Sequence, residues 1–307
     1  MKQSGTRKVR DSVDGVLLLD KPVGWSSNDA LIKAKRILNA KKAGHTGTLD
    51  PFATGLLPLC FGEATKFAQD LLEADKSYEA VVHLGQTTAT GDTEGAVMAT
   101  CAVDVTVDQI LDVLVRFRGP IEQVPPMYSA LKRDGKPLYE YARAGITLER
   151  EARPVTIHEL EFIAYDAPFL TLSVTCSKGT YIRVLGEDIG LALGCGAHLN
   201  ALRRTRVGEL TMENMVTLEQ LEEQGAPRDL LAPVDALLSS FAQVALTPEL
   251  AMRFLQGQRI ALGKEGIAIP DGLGRVRVYG DTRLLGTGNM QEYGVLAPER
   301  LIATGAV

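Results

Sequence analysis

Residues 170–194, LTLSVTCSKGTYIRVLGEDIGLALG, change their hydrophobic pattern halfway along. Leu170, Leu172, Val174 and Cys176 alternate with Thr171, Ser173, Thr175 and Ser177, the two-residue period of a strand with one face buried. Lys178-Gly179 interrupts that period, and a helix follows from about Thr180 to Leu193, ended by Gly194. A half-buried strand running straight into a helix marks a chain that mixes sheet and helix.

Toward the N-terminus, Tyr78 to Leu84 is a second strand with Ala80, Val82 and Leu84 on one face. Gly85 to Gly95, rich in Thr and Gly, reads as a loop. Thr106 to Arg118 is an amphipathic helix with Ile110, Leu111, Leu114 and Phe117 inward, and another helix is expected from about Glu63 to Ala74. Gly15 to Leu19 reads as a short buried strand, and Asp20 to Gly24 as a turn. Ser26 or Ser27 then caps a helix running to about Leu38, with Ala30, Leu31, Ala34, Ile37 and Leu38 on its dry side and Lys33, Lys35 and Arg36 on its basic side. Ala43 to Gly55, AGHTGTLDPFATG, is Gly-rich and irregular, and Pro51 pushes Asp50 toward an extended backbone.

Residues 119–153 mix Pro, Tyr and Lys/Arg with little apolar period, the mark of an excursion from the core. Beyond Thr247 the character changes. A short helix, Pro248 to Gln256, precedes brief strand candidates at Ile267–Ile269, Arg275–Tyr279 and Leu284–Gly286, the profile of a small β-rich appended domain.

Composition bounds the function classes. The 307 residues are 45% hydrophobic and 23% charged, ordinary for a soluble globular chain with room for one large and one small domain. The longest apolar runs, Val16–Leu19 and Leu56–Phe61, are far too short to span a bilayer. The polar, basic N-terminus has no apolar secretory core, so a cytoplasmic location is expected. Cys60, Cys101, Cys176 and Cys195 form no CxxC pair, and the four histidines lie far apart. Neither a disulfide framework nor a metal site is therefore expected. The net charge of −5 hides an asymmetry: residues 1–46 carry ten basic and four acidic side chains, whereas residues 207–307 carry eight and thirteen. A local basic surface can hold a polyanion whatever the total.

Several residues could carry chemistry. Asp50 sits in a glycine-flanked loop that permits close approach to a ligand, although an Asp-Pro is by itself an ordinary turn former. The glycine spacing invites a phosphate-loop reading, but no lysine follows Gly47 and that reading fails. Arg183, in the first turns of its helix, either pairs with Glu187 four residues on or faces a buried carboxylate and keeps it ionised. Tyr78 and Tyr181 are core-edge aromatics or platforms for an extruded base. His45 is a loop histidine. Lys21, Lys178, Arg203, Arg204 and Arg206 are solvated charges or phosphate contacts.

Together these segments resemble one family. AGHTGTLDPFATGLLP (43–58) is similar to the catalytic motif of the bacterial tRNA pseudouridine-55 synthases, the TruB family. GVLLLDKPVGWSSNDA (15–30), DKSYEAVVHLGQTTATGDTEG (75–95), VPPMYSALKRDGKPLYEYARAG (124–145), CSKGTYIRVLGEDIG (176–190) and GCGAHLNALRRTRVG (194–208) resemble, in the same order, the family's N-terminal, tyrosine, thumb, arginine and following segments. The resemblance implies an α/β (α+β) fold. Residues 1–242 would form a catalytic domain on a mixed, largely antiparallel sheet, with a thumb-like insertion at about 119–153. Residues 243–307 would form a small β-rich PUA-like RNA-binding domain. It also implies a cofactor-free, metal-free, monomeric enzyme acting on a uridine in the T-arm stem-loop of tRNA. In that reading Asp50 is the nucleophile, Tyr78 stacks on the flipped base and is a candidate proton acceptor, and Arg183 pairs with Asp50. His45 fills the space of the extruded nucleotide, Tyr181 and Leu202 line the uridine pocket, and Lys21 and Pro22 brace the catalytic loop. Lys178 belongs to the substrate-binding set. With an acidic C-terminal part, the thumb and the basic N-terminal helix are expected to supply more of the phosphate contact. The competing classes are an RNA-binding module without chemistry and a nucleotide-dependent enzyme on a phosphate loop.

Overall fold

A computed structural model describes residues 9–303. Lys2, Arg7 and Lys8 of the basic N-terminal segment lie outside them. The fold is mixed α/β, built on an eight-stranded sheet and a five-stranded sheet. From edge to edge the first sheet runs Gly15–Lys21, Thr54–Phe61, Ala197–Val207, Lys76–Leu84, Phe169–Cys176, Arg153–Asp166 and Gly119–Gln123, with Ala43–His45 paired to Thr54–Phe61. Every pairing is antiparallel except that of Ala197–Val207 with Thr54–Phe61.

The alternation read at 170–176 holds: Leu170, Leu172, Val174 and Cys176 are buried in the main core, and the intervening residues are half-exposed. The two strands at the other edge behave differently. Leu17, Leu19, Leu57 and Leu59 enter the main core, while Val16, Leu56 and Cys60 enter a second cluster on the opposite face, with Phe67 and Leu237. A strand covered on both faces loses its alternation and becomes a continuous apolar run. This is why 54–61, which also contains Pro58, is a strand although its first residues read as irregular loop.

Helix Ser27–Ile37 starts where its cap predicts, with Ser26 accepting from the Asp29 amide and Ala30 and Ala34 buried. Helix Val107–Val115 opens with a Thr106/Gln109 capping box, and helix Ile182–Ala192 follows the quoted strand. The single helix expected over 63–74 is divided into a 3-10 turn, Gly62–Lys66, and helix Ala68–Glu73. Phe67, fully buried between them with φ −110° and ψ 3°, breaks the helical backbone. The loop expected over 85–95 contains strand Gln86–Thr88, paired with Val97–Thr100. The excursion at 119–153 is rooted in paired strands, with Arg153 opposite Gln123 and Ile157 opposite Gly119.

The second sheet runs Gln243–Leu246, Gly274–Gly280, Arg283–Gln291, Val295–Leu301 and Ile260–Ala261 around its own cluster of Phe254, Val278 and Leu296. Ile267–Ile269 is not a strand. It follows the 3-10 turn Leu262–Glu265, and the Ile267 amide donates to Leu262 O at 2.9 Å.

Candidate active site

The Gly-rich segment around Asp50 is held from three directions. Ser27 Oγ accepts from the Leu49 amide at 2.8 Å and donates to the Leu49 carbonyl at 3.0 Å. The Gly24 amide donates to Pro51 O at 2.8 Å. Lys21, fully buried, donates to the carbonyls of Trp25 at 2.7 Å, Pro22 at 3.0 Å and Pro51 at 3.2 Å. Burial lowers the Lys21 ammonium to about 8, against the attraction of Asp50. This corrects the expectation of a solvated charge or phosphate contact, because no proton of this ammonium faces solvent.

Asp50 Oδ2 lies 3.0 Å from Arg183 Nε. The Arg183 side chain is only 5% exposed and the Asp50 side chain 37%, so the pair has one closed and one open side. Burial raises the Asp50 carboxyl, Arg183 opposes that rise most strongly, and Asp92 adds to it. The guanidinium has further partners: Nη1 donates to Thr90 O at 2.9 Å and lies 3.4 Å from Asp92 Oδ2, and Nη2 donates to Tyr128 O at 2.7 Å. The surface pair with Glu187 does not form. Instead burial lifts Glu187 to about 7.

A cavity of about 260 Å³ opens over this pair. Asp50, Tyr78, Tyr181, Arg183 and Leu202 all line it, brought from the loop, the strands 76–84 and 197–207, and the start of helix Ile182–Ala192. Its scale suits one small ligand, with apolar walls and a few convergent polar groups. His45, Lys21, Pro22 and Lys178 are not among its lining residues. His45 lies on strand Ala43–His45 with Nδ1 buried and without a partner among the described residues, and burial followed by the nearby Arg204 charge lowers its pKa. Lys178 is exposed and ion-paired with Glu73.

Of the charges read as solvated, Arg203 forms a two-pronged pair with Asp20 at 2.8 and 3.1 Å, and Arg206 pairs with Glu209. Arg204 is 1% exposed, lines the cavity and stands in register with Tyr78, a correction that follows from its place in a central strand. Sequence reasoning missed Asp92 at this site and named Arg204 only as a solvated charge or phosphate contact. Asp92 carried no signal apart from its Thr/Gly-rich loop. Arg204 shares a strand face with Leu202, legible only once 197–207 is known to be a strand. Among the described residues no three His, Cys, Asp or Glu side chains gather as metal ligands, and no helix is long and apolar enough to cross a membrane.

A mixed sheet that presents a carboxylate–guanidinium pair at the floor of an aromatic-lined cavity defines a site for covalent or acid–base work on one flat, small group. Residues 35–182 match the model of the TruB family pseudouridylate synthase N-terminal domain. Residues 183–239 match the tRNA pseudouridylate synthase B C-terminal domain, and 242–302 the C-terminal domain of pseudouridine synthase II TruB. The chain belongs to the TruB family of pseudouridine synthases. It is 64% identical over 303 residues to tRNA pseudouridine synthase B of Burkholderia lata, covering 98% of this chain and 94% of that protein. It is 62% identical to the protein of the same name from Cupriavidus metallidurans, covering 96% of each. Among solved structures, a Cbf5-Nop10-Gar1 complex is similar with TM-score 0.70 and 30% identity, over 91% of this chain and 79% of that one. An H/ACA RNP bound to a substrate RNA containing 2'-deoxyuridine is similar with TM-score 0.72 and 27% identity, over 94% and 84%.

Proposed function

We propose that this chain isomerises a uridine in the T-loop of tRNA to pseudouridine, the uridine at position 55 by resemblance to its family. The Asp50–Arg183 contact at the cavity supports this reading, because an ionisable carboxylate suited to nucleophilic attack lines the same pocket as Tyr78, Tyr181 and Leu202. The uridine is flipped from its loop into that pocket, at a cost of a few kcal/mol that an already strained loop reduces. The Asp50 carboxylate bonds to the nucleoside and the N1–C1′ bond breaks. The uracil turns between the aromatic walls, C5 bonds to C1′, and the carboxylate is released. The C5 proton passes to Tyr78. Substrate and product contain the same atoms, so no cofactor enters the balance.

Lys21, Pro22 and Ser27 hold the Asp50 loop, and His45 takes the space of the extruded nucleotide. Residues 1–242 act as the catalytic domain, with the excursion at 119–153 gripping the T-arm. Residues 243–307 act as a PUA-like module on the same RNA. The protein works as a cytoplasmic monomer. The test uses tRNA tritiated at uracil C5. Wild type is expected to release tritium and Asp50→Asn to lose at least about a thousandfold in rate while still binding tRNA. Equal release from both proteins removes Asp50 from this role and favours a binding module without chemistry.

A further inference from the structure

Arg204 is among the largest fully buried side chains of the protein, and it sits at a crossing point. Its strand runs between Thr54–Phe61 and Lys76–Leu84, and Arg204 is in register with Gly55 on one side and Tyr78 on the other. Directly opposed residues of an antiparallel pair project to the same face with their Cβ atoms about 5 Å apart. The guanidinium and the Tyr78 phenol therefore share one sheet face and line the same cavity, and the Arg204 charge opposes the rise in the Tyr78 pKa. Two of the Arg204 donors go to carbonyls, Nε to Leu56 O at 2.8 Å and Nη2 to Gly47 O at 3.3 Å, which bracket the segment carrying Asp50. The chain passes so closely at Gly55 (φ +95°) that a Cβ there would lie 2.3 Å from Arg204 O.

A guanidinium keeps its proton in any protein environment, and a buried cation held only by dipoles is costly unless a negative charge complements it. Among the described residues no Asp or Glu is ion-paired with Arg204; its ionisable partner is Tyr78. We propose that Arg204 is a positioning residue of the reaction, holding the Tyr78 hydroxyl at the cavity wall and supplying the counter-charge for the phenolate that takes the C5 proton. This rests on the assignment of Tyr78 as proton acceptor made above. In that step the phenolate, formed by loss of its proton to water, takes the C5 proton and becomes a neutral phenol. The C5–H electron pair forms the C5–C6 double bond, the N1–C6 π pair moves to N1, and N1 takes up the proton that the phenol gave to water.

The other charges around the phenol do not help it ionise. Burial raises its pKa, Cys176 and Asp50 raise it further, and Arg204 is what opposes them. Lys76, two residues away on the same strand and also at the cavity, is itself lowered to about 8 by burial and by Arg204.

The experiment measures single-turnover tritium release from C5-tritiated tRNA across pH, with full-length wild type, Arg204→Lys, Arg204→Gln and Tyr78→Phe, alongside tRNA affinity. Arg204→Gln is expected to lose roughly 100-fold in rate near neutral pH. Its alkaline rise should move up by at least about one pH unit, and its affinity should change less than about threefold. Arg204→Lys keeps the charge without the planar fork and is expected to fall between it and wild type, so it carries the test if the glutamine variant does not fold. A rate loss with an unmoved profile, a loss in affinity alone, or an Arg204→Lys profile that superposes on wild type overturns the proposal. Tyr78→Phe separates the two readings. If it stays active the proton-acceptor assignment fails; if it is inactive while both Arg204 variants match wild type, only the role of Arg204 fails.

Discussion

Arg183 Nε stands 3.0 Å from Asp50 Oδ2, while Nη1 of the same side chain stands 3.4 Å from Asp92 Oδ2. One buried cation thus serves two carboxylates, only one of which reaches the cavity. Two further bonds, to Thr90 O and Tyr128 O, tie it to the Thr/Gly-rich loop and to the thumb-like excursion. Asp50 is aimed by a group whose position depends on three separate segments of chain.

Arg183→Lys offers a point charge in place of that fork and cannot make all these contacts together. Burial already raises the Asp50 carboxyl and Arg183 opposes the rise, so weakening the pair raises it further. Asp50 is ionised above its pKa and neutral below it. The variant should therefore lose activity from the acid side, with the acid limb of its single-turnover profile displaced to higher pH. An acid limb that does not move contradicts this electrostatic role.

Lys21→Met leaves the part-buried carbonyls of Pro22 and Trp25 without this donor, while Pro51 O keeps the Gly24 amide. Each unsatisfied buried acceptor costs about 1–3 kcal/mol, and a loss of roughly 2–4 kcal/mol of stability is expected in denaturant unfolding. Because the ammonium is enclosed, the salt dependence of tRNA binding should stay unchanged. A shallower salt slope would show that Lys21 meets phosphate after all.

Glu187 gives a pH test of stability. Its ordinary value of 4.5 is lifted to about 7 by burial, so between those values the folded protein holds a proton that the unfolded chain has released. Stability therefore falls as pH rises through this window. Glu187→Gln should raise the melting temperature above pH 7 relative to wild type and lose that advantage below about 4.5. Parallel melting curves at both ends would place Glu187 in water.

Lys132 is exposed on the small hairpin of the thumb-like excursion, paired through Pro137. If it meets one phosphate, Lys132→Ala reduces the slope of log affinity against log salt by roughly 0.7–0.9. Titrations at several ionic strengths check this, and an unchanged slope removes Lys132 from the RNA contact.

Much of the architecture was legible because local patterns and tertiary burial agreed. The alternation at 170–176 survives because that strand has one covered face, and helix Ser27–Ile37 begins at a cap its own residues make. Strand Thr54–Phe61 was hidden because clusters on both its faces erase the alternation. Strand Arg153–Asp166 was hidden because most of its residues are half-exposed or exposed.

The order of residues along the chain determined the motifs, the strand-to-helix passage at 176–182 and the glycine-flanked loop around Asp50. Which charges meet was decided only by folding. Arg183 lies 133 positions from Asp50 and 91 from Asp92, and Arg204 lies 126 from Tyr78. Such partners are joined by sheet register and by desolvation, which a linear pattern does not encode. The same long-range packing buried Lys21 and Arg204, whose residue types alone point to solvent.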